Sequence, residues 1–407
     1  MSLDESVYAE LDRRLTPVDA VRLTRFPGEW PQRQPVHTCY VPADAVVRGL
    51  AQEWGAAALA ALDEHRLPDL GLDPALVEQV LPRVRAKLAT EPIEDVRVDA
   101  EDGYRGTLEV EDDDVLRAAA VVAADRGAGV APASIGIRAK SLEAPTRRRG
   151  VRTLDLFLGA LGTGRAVVTL PKVTDVEQVR AFLPVLDALE QAHQVSLDLE
   201  LQIETPQAVL GGDGAATLAR MVHIAGPRLI GLHYGTYDYS AALGIAAAYQ
   251  SSDHPAADFA KNVMQVAAAG TGAHPVDGST NVLPVGPTEY VHGAWQLHAR
   301  LVRRALVRGF YQGWDLHPAQ LVTRYVATYA FFRSALPAAV ERVAAYLDRT
   351  NAGVLDEPAT ARALAGVLLR GLDCGAVEEK EVRAEGGPDR ATLDRLAGRR
   401  PGGPSGR

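Results

Sequence analysis

The stretch from residue 199 to residue 244 constrains most strongly how this chain can fold. It begins with LELQIETPQAVL and ends with LIGLHYGTYDYSAALG, two apolar runs of strand character that each stop at a turn signal, with a short helical passage between them. A carboxylate stands where each run stops, Glu204 in the first and Asp238 in the second. If the two strands are parallel neighbours joined by the helix, both carboxylates lie at one end of a sheet, where α/β folds bind their ligands.

This arrangement is typical of a metal site. Two carboxylates that leave room for waters and a substrate suit Mg²⁺, with Mn²⁺ as the alternative, and no nearby pair of Cys or His residues favours zinc. Taken singly, each acid also has an ordinary structural interpretation, Glu204 as an acid at a helix start and Asp238 as a helix N-cap. We predict that Glu204 and Asp238 bind the metal.

Strand-like and helical segments alternate about every 30 residues along most of the chain, which is the rhythm of βαβ units. Strands are predicted at residues 36–41, 93–99, 133–138 and 166–170, from residue 197, and at residues 228–232, 279–285 and 309–318. The rhythm fits a parallel barrel or a doubly wound sheet. A (β/α)₈ barrel of about 250 residues with a helical appendix would use up the 407 residues.

Composition excludes several classes of partner. The net charge of -9 argues against a nucleic-acid or anionic-membrane partner, because either would need a basic face. The acidic start MSLDESVYAELDRR does not resemble a signal peptide, and no apolar run reaches the ~18 residues of a membrane helix. Cys39 and Cys374 form no paired framework, which suits reduced thiols. We expect a cytoplasmic protein.

Charged residues follow most of the predicted strands, and in a closed barrel they would surround one space. They are Asp99, Glu101, Asp102, Arg138, Lys172, Glu204 and Asp238. A metal beside a guanidinium suits an α-keto acid, because the metal chelates the oxo-acid while Arg138 holds a carboxylate through two parallel hydrogen bonds. The predicted chemistry is the cleavage or formation of a carbon–carbon bond beside a carbonyl.

Each of these side chains receives a predicted role. Catalytic roles fall to Arg138, Lys172 and Asp102, and substrate-binding roles to Arg138, Glu101 and Asp99. Three structural alternatives stay open: Arg138 as an ion-pair partner of the acids, Lys172 as a neutraliser of Glu101, and the acidic turn as a solvated loop or as a support for ligand waters.

Seven short motifs occur in one order over roughly residues 36–325. They are Val41-Pro42, Asp99-Ala100-Glu101-Asp102, Ile137-Arg138, Leu170-Pro171-Lys172, Ile203-Glu204-Thr205-Pro206, Gly235-Thr236-Tyr237-Asp238 and His317-Pro318-Ala319-Gln320. Together they resemble the citrate lyase β-subunit and HpcH/HpaI aldolase superfamily. Each motif is weak alone, but seven in register are specific. Two depart from the family pattern, since Arg138-Ala139-Lys140 replaces Arg-Val-Asn and Asp99-Ala100-Glu101-Asp102-Gly103 replaces Asp-Leu-Glu-Asp-Ser.

The resemblance implies a (β/α)₈ TIM barrel, usually oligomeric, with Mg²⁺ held by the acids matching Glu204 and Asp238 and the oxo-acid held by Arg138. We therefore predict this barrel with inserted helices and a C-terminal helical extension. The predicted divisions are an irregular segment (1–35), the catalytic barrel (36–325), a helical region (326–395) with a break near Pro337, and a disordered tail (396–407).

The predicted function is a Mg²⁺-dependent carbon–carbon lyase of the citrate lyase β-like class. The resemblance implies a 3-hydroxyacyl-CoA such as citryl-CoA or malyl-CoA, so CoA would enter as a thioester substrate and not as a prosthetic group. Arg147-Arg148-Arg149 would suit its phosphates, although a charge run is usually a solvated face. Alternatives are a class II aldolase on free 2-keto acids, a malate-synthase-like condensing enzyme, and a non-catalytic barrel that binds metal and oxo-acid. We expect a homo-oligomer.

Overall fold

The structure is a computed structural model and describes residues 3–348 and 357–399. At its centre, eight parallel strands curl into a nearly closed barrel surrounded by helices, which confirms the predicted (β/α)₈ TIM barrel. The strands are β1 (His37–Pro42), β2 (Asp95–Asp99), β3 (Ser134–Arg138), β4 (Gly164–Leu170), β5 (Val195–Ile203), β6 (Leu229–Tyr234), β7 (His274–Val276) and β8 (Gly313–Asp315).

The helices include more than one per strand. They are α1 (Glu5–Arg25), α2 (Leu50–His65), α3 (Pro74–Thr90), α4 (Glu111–Gly127), α5 (Arg147–Leu161), α6 (Val176–His193), α7 (Pro206–Val209), α8 (Thr217–Ala225), α9 (Thr236–Ala242), α10 (Pro255–Ala268), α11 (Thr288–Val307), α12 (Gln320–Leu347), α13 (Pro358–Asp373), α14 (Glu379–Ala384) and α15 (Arg390–Ala397). Both α2 and α3 precede β2, as predicted, and α12 to α15 form the C-terminal extension.

The barrel closes least tightly between β7 and β8. Hydrogen-bonded strands follow the order β7-β6-β5-β4-β3-β2-β1-β8, so these two strands form its ends. Directly beside them, the amide of Asp277 donates to the carbonyl of Gln312 at 2.9 Å. Because all strands are parallel, their carboxyl ends meet at one rim of the barrel.

Alternation along β5 separates an apolar exterior from a polar interior. Leu199, Leu201 and Ile203 are fully buried in the main hydrophobic core, whereas the intervening Glu200 points across the barrel. There it accepts hydrogen bonds from Arg97 on β2 at 3.0 and 2.6 Å. The barrel is therefore held together by charge pairs inside and by apolar packing outside.

Three predictions of local structure are wrong. Residues 5–25 are helical where an irregular segment was expected, because Asp4 caps the helix and Glu10 pairs with Arg13 and Arg14. The seventh strand lies at His274–Val276 and not at residues 279–285, since three residues including a proline carry too little pattern to be recognised. Helix α12 continues through Pro337, because packing on the barrel and α13 outweighs the lost hydrogen bond.

The C-terminal helices share the main hydrophobic core with the barrel. Leu368 and Leu369 of α13 and Leu393 of α15 belong to the same buried cluster as the barrel helices. Of the predicted disordered tail, residues 396–399 are ordered: α15 runs to Ala397, and Arg399 pairs with Asp373 at 2.9 Å. Residues 400–407 lie outside the described part, and the division into domains stays a prediction. Within the described ranges, no helix is long and apolar enough to cross a membrane.

Candidate active site

The charged residues predicted from the strand ends come together at the carboxyl-end rim of the barrel. Asp99 and Arg138 are the last residues of β2 and β3, and Lys172 and Glu204 follow β4 and β5 within two residues. Glu101 and Asp102 lie in the turn after β2, and Asp238 lies in the first turn of α9. We call this group the rim residues: Asp99, Glu101, Asp102, Arg138, Lys172, Glu204 and Asp238. In a barrel of this kind, the carboxyl-end rim is where active sites lie.

Arg138 is held in a fixed orientation. Its Nε and Nη2 donate to the two carboxylate oxygens of Asp99 at 2.8 and 2.6 Å, and its Nη1 donates to Oε1 of Gln202 at 3.1 Å. The guanidinium lies over the ring of Tyr40 at 4.8 Å and that of Trp314 at 5.8 Å. The ion-pair alternative for Arg138 therefore describes its bidentate pair with Asp99 and a longer contact of Nη1 with Glu101 at 3.6 Å. Among the described residues, each terminal nitrogen still keeps one N–H that is not hydrogen-bonded and that a ligand could use.

Asp99 also shapes the acidic turn after β2. Its carboxylate accepts hydrogen bonds from the amides of Glu101 at 3.0 Å and Gly103 at 2.9 Å. A Cβ atom at position 103 would lie 2.2 Å from Oδ2 of Asp99, so this close approach requires glycine. The turn is thus built on the same carboxylate that positions Arg138, while the side chain of Asp102 is 53% exposed to solvent.

Lys172 joins the two sides of the rim. Its Nζ lies 2.8 Å from Glu101, 2.6 Å from Asp102 and 3.7 Å from Asp238, and its amide donates to Oε1 of Glu204 at 2.8 Å. The backbone at Lys172 has φ +51°, a left-handed conformation that a residue other than glycine rarely adopts. Such strain often accompanies a functional position, and here it aims both the amide and the ammonium at acids.

Glu204 is the most perturbed acid of the group. Its side chain is buried, and burial raises its pKa to about 8. Negative Asp238 and Glu101 raise that pKa further, while Lys172 and Arg138 act against them. Gln202 donates from Nε2 to Oε2 of Glu204. Without another cation nearby, this carboxyl holds a proton at neutral pH.

The rim carries more negative than positive charge. Arg138 pairs with Asp99 and lies 3.6 Å from Glu101, and Lys172 contacts Glu101, Asp102 and Asp238. Two cations therefore face five acids, of which Glu204 is protonated without a further cation. Burial raises the pKa of Glu101 above its usual range, and although burial acts the same way on Asp102, Lys172 outweighs it and leaves the pKa of Asp102 lowered. A further cation beside Glu204 would relieve this excess.

The donor set fits a hard divalent cation. Carboxylate oxygens are the ligands that Mg²⁺ prefers, and it usually takes only one or two of them along with waters. In the described part of the chain, no three His, Cys, Asp or Glu side chains are arranged to hold a metal. The protein's share would therefore be the carboxylates of Glu204 and Asp238, with the remaining positions left for water and substrate.

Comparison with known proteins assigns the chain to a family. Residues 15–401 match the family model of the domain of unknown function DUF6986. The chain belongs to the DUF6986 family. No curated protein matches it.

Solved structures resemble the DUF6986 chain in fold. A citrate lyase from Burkholderia xenovorans LB400 has a TM-score of 0.58 and 20% identity, over 87% of this chain and 97% of the lyase. A malate synthase from Haloferax volcanii has a TM-score of 0.51 and 16% identity, over 86% of this chain and 99% of the synthase. The expected resemblance to the citrate lyase β class is thus confirmed at the level of the fold.

Three side chains of the DUF6986 site were missed by sequence reasoning. Gln202 contacts both Arg138 and Glu204, and its position two residues before Glu204 on β5 could have revealed it, since alternate residues share a face. Tyr40 and Trp314 lie under Arg138. No sequence signal separated these aromatic residues from ordinary core residues.

The three arginines of the run at residues 147–149 lie in different surroundings. Arg149 donates to the carbonyl of Leu108 at 2.5 Å and lies 3.1 Å from Glu111. Arg147 and Arg148 are exposed at the start of α5 and form no ion pair with the described residues. Two of the three arginines therefore stay available to an anionic ligand.

One apolar cavity of the DUF6986 protein lies away from the rim residues. It encloses about 280 Å³ at the amino ends of the strands, between Trp30, Asp198 and the Arg97–Glu200 pair. The charges that line it are already paired, as when Arg165 donates to Asp198 at 2.8 Å. Because the charges of this cavity are already paired, they need no ligand. The rim residues, which carry more negative than positive charge, are the better candidate for an active site.

Proposed function

We propose that this protein is a Mg²⁺-dependent carbon–carbon lyase of the citrate lyase β-like class. The observation that carries the proposal is the excess of acid at the rim, placed directly beside a fixed guanidinium. Acids that can hold a metal, beside a guanidinium that can hold a carboxylate, suit a substrate that contains an oxo-acid group. The fold shared with a citrate lyase and a malate synthase supports the same class.

Glu204 and Asp238 would hold the cation, with Mn²⁺ as the alternative to Mg²⁺. When bound, the ion supplies positive charge beside a substrate carbonyl, where negative charge develops as the carbon–carbon bond changes. Arg138 binds the oxo-acid carboxylate through its free N–H groups. Because Asp99 and Gln202 already fix the guanidinium, little freedom is lost when substrate binds.

Lys172 and Asp102 would control protons beside the substrate. Although burial lowers the pKa of Lys172, Glu204 and Glu101 outweigh it and leave that pKa raised, so Nζ stays an ammonium that donates and does not accept. The pKa of Asp102 is lowered, so its half-exposed carboxylate stays ionised, with Oδ2 accepting from Lys172 and Oδ1 open to a proton. Asp102 is therefore our candidate for the proton acceptor.

A 3-hydroxyacyl-CoA is the proposed substrate, formed or cleaved at the carbon next to the thioester. Arg147 and Arg148 would meet its phosphates. A class II aldolase acting on free 2-keto acids is the second candidate, and one observation favours it: Arg149 is committed to Glu111 and to the carbonyl of Leu108. Replacing both Arg147 and Arg148 by Ala should raise KM for a CoA thioester and leave KM for a free acid unchanged.

Exchange of methyl protons with deuterated water tests the chemistry. Mg²⁺-dependent exchange should occur with wild type, vanish in Glu204→Gln, and persist in Glu64→Gln, which alters a carboxylate on the exposed end of α2. Exchange with acetyl-CoA supports the thioester substrate, and exchange with pyruvate alone supports the free-acid aldolase. Binding of metal and oxo-acid without any exchange would overturn the proposed catalysis and leave a binding barrel.

A further inference from the structure

Helix α1 stands apart from the rest of the chain. It spans 21 residues, none of which is buried, and no other described helix or strand packs along it. Pro17 lies inside it and removes one helical hydrogen bond. Since helices in proteins gain most of their stability by packing an apolar face, a solvated helix with an internal proline calls for a partner.

One face of α1 carries an unbroken row of side chains at heptad spacing. From its N-terminal end the row reads Asp4, Tyr8, Leu11, Leu15, Val18 and Arg22. The spacing of four, three, four, three and four residues is that of the a and d positions of a coiled coil. Leu11, Leu15 and Val18 are 54%, 44% and 58% exposed, so the apolar centre of the row is open to solvent.

When two copies of this row run antiparallel, residues of complementary charge and apolar character face one another. In an antiparallel pair centred between Leu11 and Leu15, each of these leucines meets the other in the second copy, and Tyr8 meets Val18. At both ends Asp4 then faces Arg22. A parallel pair would instead set Asp4 against Asp4 and Arg22 against Arg22, which costs free energy at both ends.

We propose that α1 pairs antiparallel with α1 of a second copy of this chain, in a two-fold symmetric contact. The same patch serves both partners, as a two-fold axis requires. Val7 and Val21, with 49% and 50% exposure, lie beside the row on the same side of the helix, two heptads apart, and widen the apolar contact on each copy. At about 32 Å, the helix spans the last five positions of the row, and its N-cap residue Asp4 supplies the first.

The attachment of α1 leaves the rim residues clear of this contact. After the helix, the ring of Phe26 packs edge-on against His223 at 5.2 Å, and the amide of Gly28 donates to the carbonyl of Gly270 at 2.9 Å. His223 lies in the last turn of α8, which leads into β6, and Gly270 precedes β7, so both mark the amino-end side of the barrel. The two barrels would therefore be joined on the side opposite the candidate site.

Particle mass in solution gives the first test. The chain has a mass of 43.4 kDa, and the full-length protein should show an even multiple of it by light scattering. Leu15→Glu should halve the mass of the particle, because the α1 contact is proposed to be what joins the two copies. Leu23→Glu is the matched control, because Leu23 is also exposed on α1, at 57%, but lies off the row, and it should leave the mass unchanged. An unchanged mass in Leu15→Glu overturns the pairing.

Cysteine cross-linking tests the direction of the pair. Both native cysteines are buried, so introduced thiols can be read without interference. Leu11→Cys and Leu15→Cys proteins should each stay uncross-linked alone and should form a disulfide-linked dimer when mixed, because position 11 faces position 15. Cross-linking of Leu11→Cys with itself would indicate a parallel pair and refute the proposal, as would the absence of a cross-link in the mixture.

Discussion

Binding of a divalent cation to this protein should release a proton from Glu204. Burial raises the pKa of this carboxyl from its usual 4.5 to about 8, which corresponds to about 5 kcal/mol between its two protonation states. At pH 7 about nine in ten of these carboxyls then carry a proton, which a cation must displace because metals bind the carboxylate form. The expected release is close to one proton for each Mg²⁺ bound at pH 7 and close to none at pH 9.

Calorimetric titration of Mg²⁺ in buffers of different ionisation enthalpy counts these protons directly. Glu204→Gln should bind the cation more weakly and release no proton. Asp238→Asn should also weaken binding, and it should lower the number released, since the charge of Asp238 helps to raise the pKa of Glu204. Binding to wild type at pH 7 without proton release, or equal release from Glu204→Gln, would refute the assignment of this residue.

The same carboxyl makes metal-free stability depend on pH. Between pH 4.5 and about 8 the unfolded chain has lost the proton that the folded protein keeps, so the free energy of unfolding should fall as pH rises through this range and level off above it. Glu204→Gln should remove this part of the pH dependence. Unfolding by denaturant at pH 5, 7 and 9, with and without Mg²⁺, measures the effect.

Two further predictions concern the shape of the site. Asp99→Asn should lower the free energy of unfolding by about 3 kcal/mol and weaken oxo-acid binding, because it leaves the buried Arg138 without its bidentate partner. Unfolding by denaturant that matches wild type would contradict this. Gly235→Ala should cost about 1–3 kcal/mol and weaken Mg²⁺ binding, since the new Cβ would lie 2.4 Å from Cβ of Glu204, whereas Gly293→Ala in open space on α11 should be neutral or stabilising in both measurements.

Site residues at the ends of strands could be predicted from the sequence, whereas the residues that contact them from other strands could not. Glu204, Asp238 and Arg138 were found because each follows an apolar run, and parallel strands bring such positions to one rim. Tyr40 and Trp314 were not found, because their function depends on where Arg138 lies, and that is decided by the pairing of β1 with β2 and β8. Contacts between distant strands leave no local pattern in a single sequence.

Local rules failed where tertiary packing decides the outcome. A strand of three residues with Pro275 inside it is defined by its neighbour β6 and not by its own propensity. Pro337 would end an isolated helix, but α12 lies between the barrel and α13 and continues past it. In both cases the chain pays a local cost that only the surrounding structure can offset.

The two ends of the barrel differ in charge balance. This difference distinguishes charge pairs that stabilise the fold from charged residues that are candidates for function. Inside the barrel Arg97 lies 2.6 Å from Glu200, and at the amino end Arg165 is bound to Asp198, so burial there is compensated by the protein itself. At the carboxyl end Arg138 and Lys172 face five acids. The buried Glu204 keeps its proton there, and a bound cation would supply the charge that lets this carboxyl ionise. We therefore expect the rim to bind a cation, and a cation beside Arg138 would favour an anionic, carbonyl-bearing substrate.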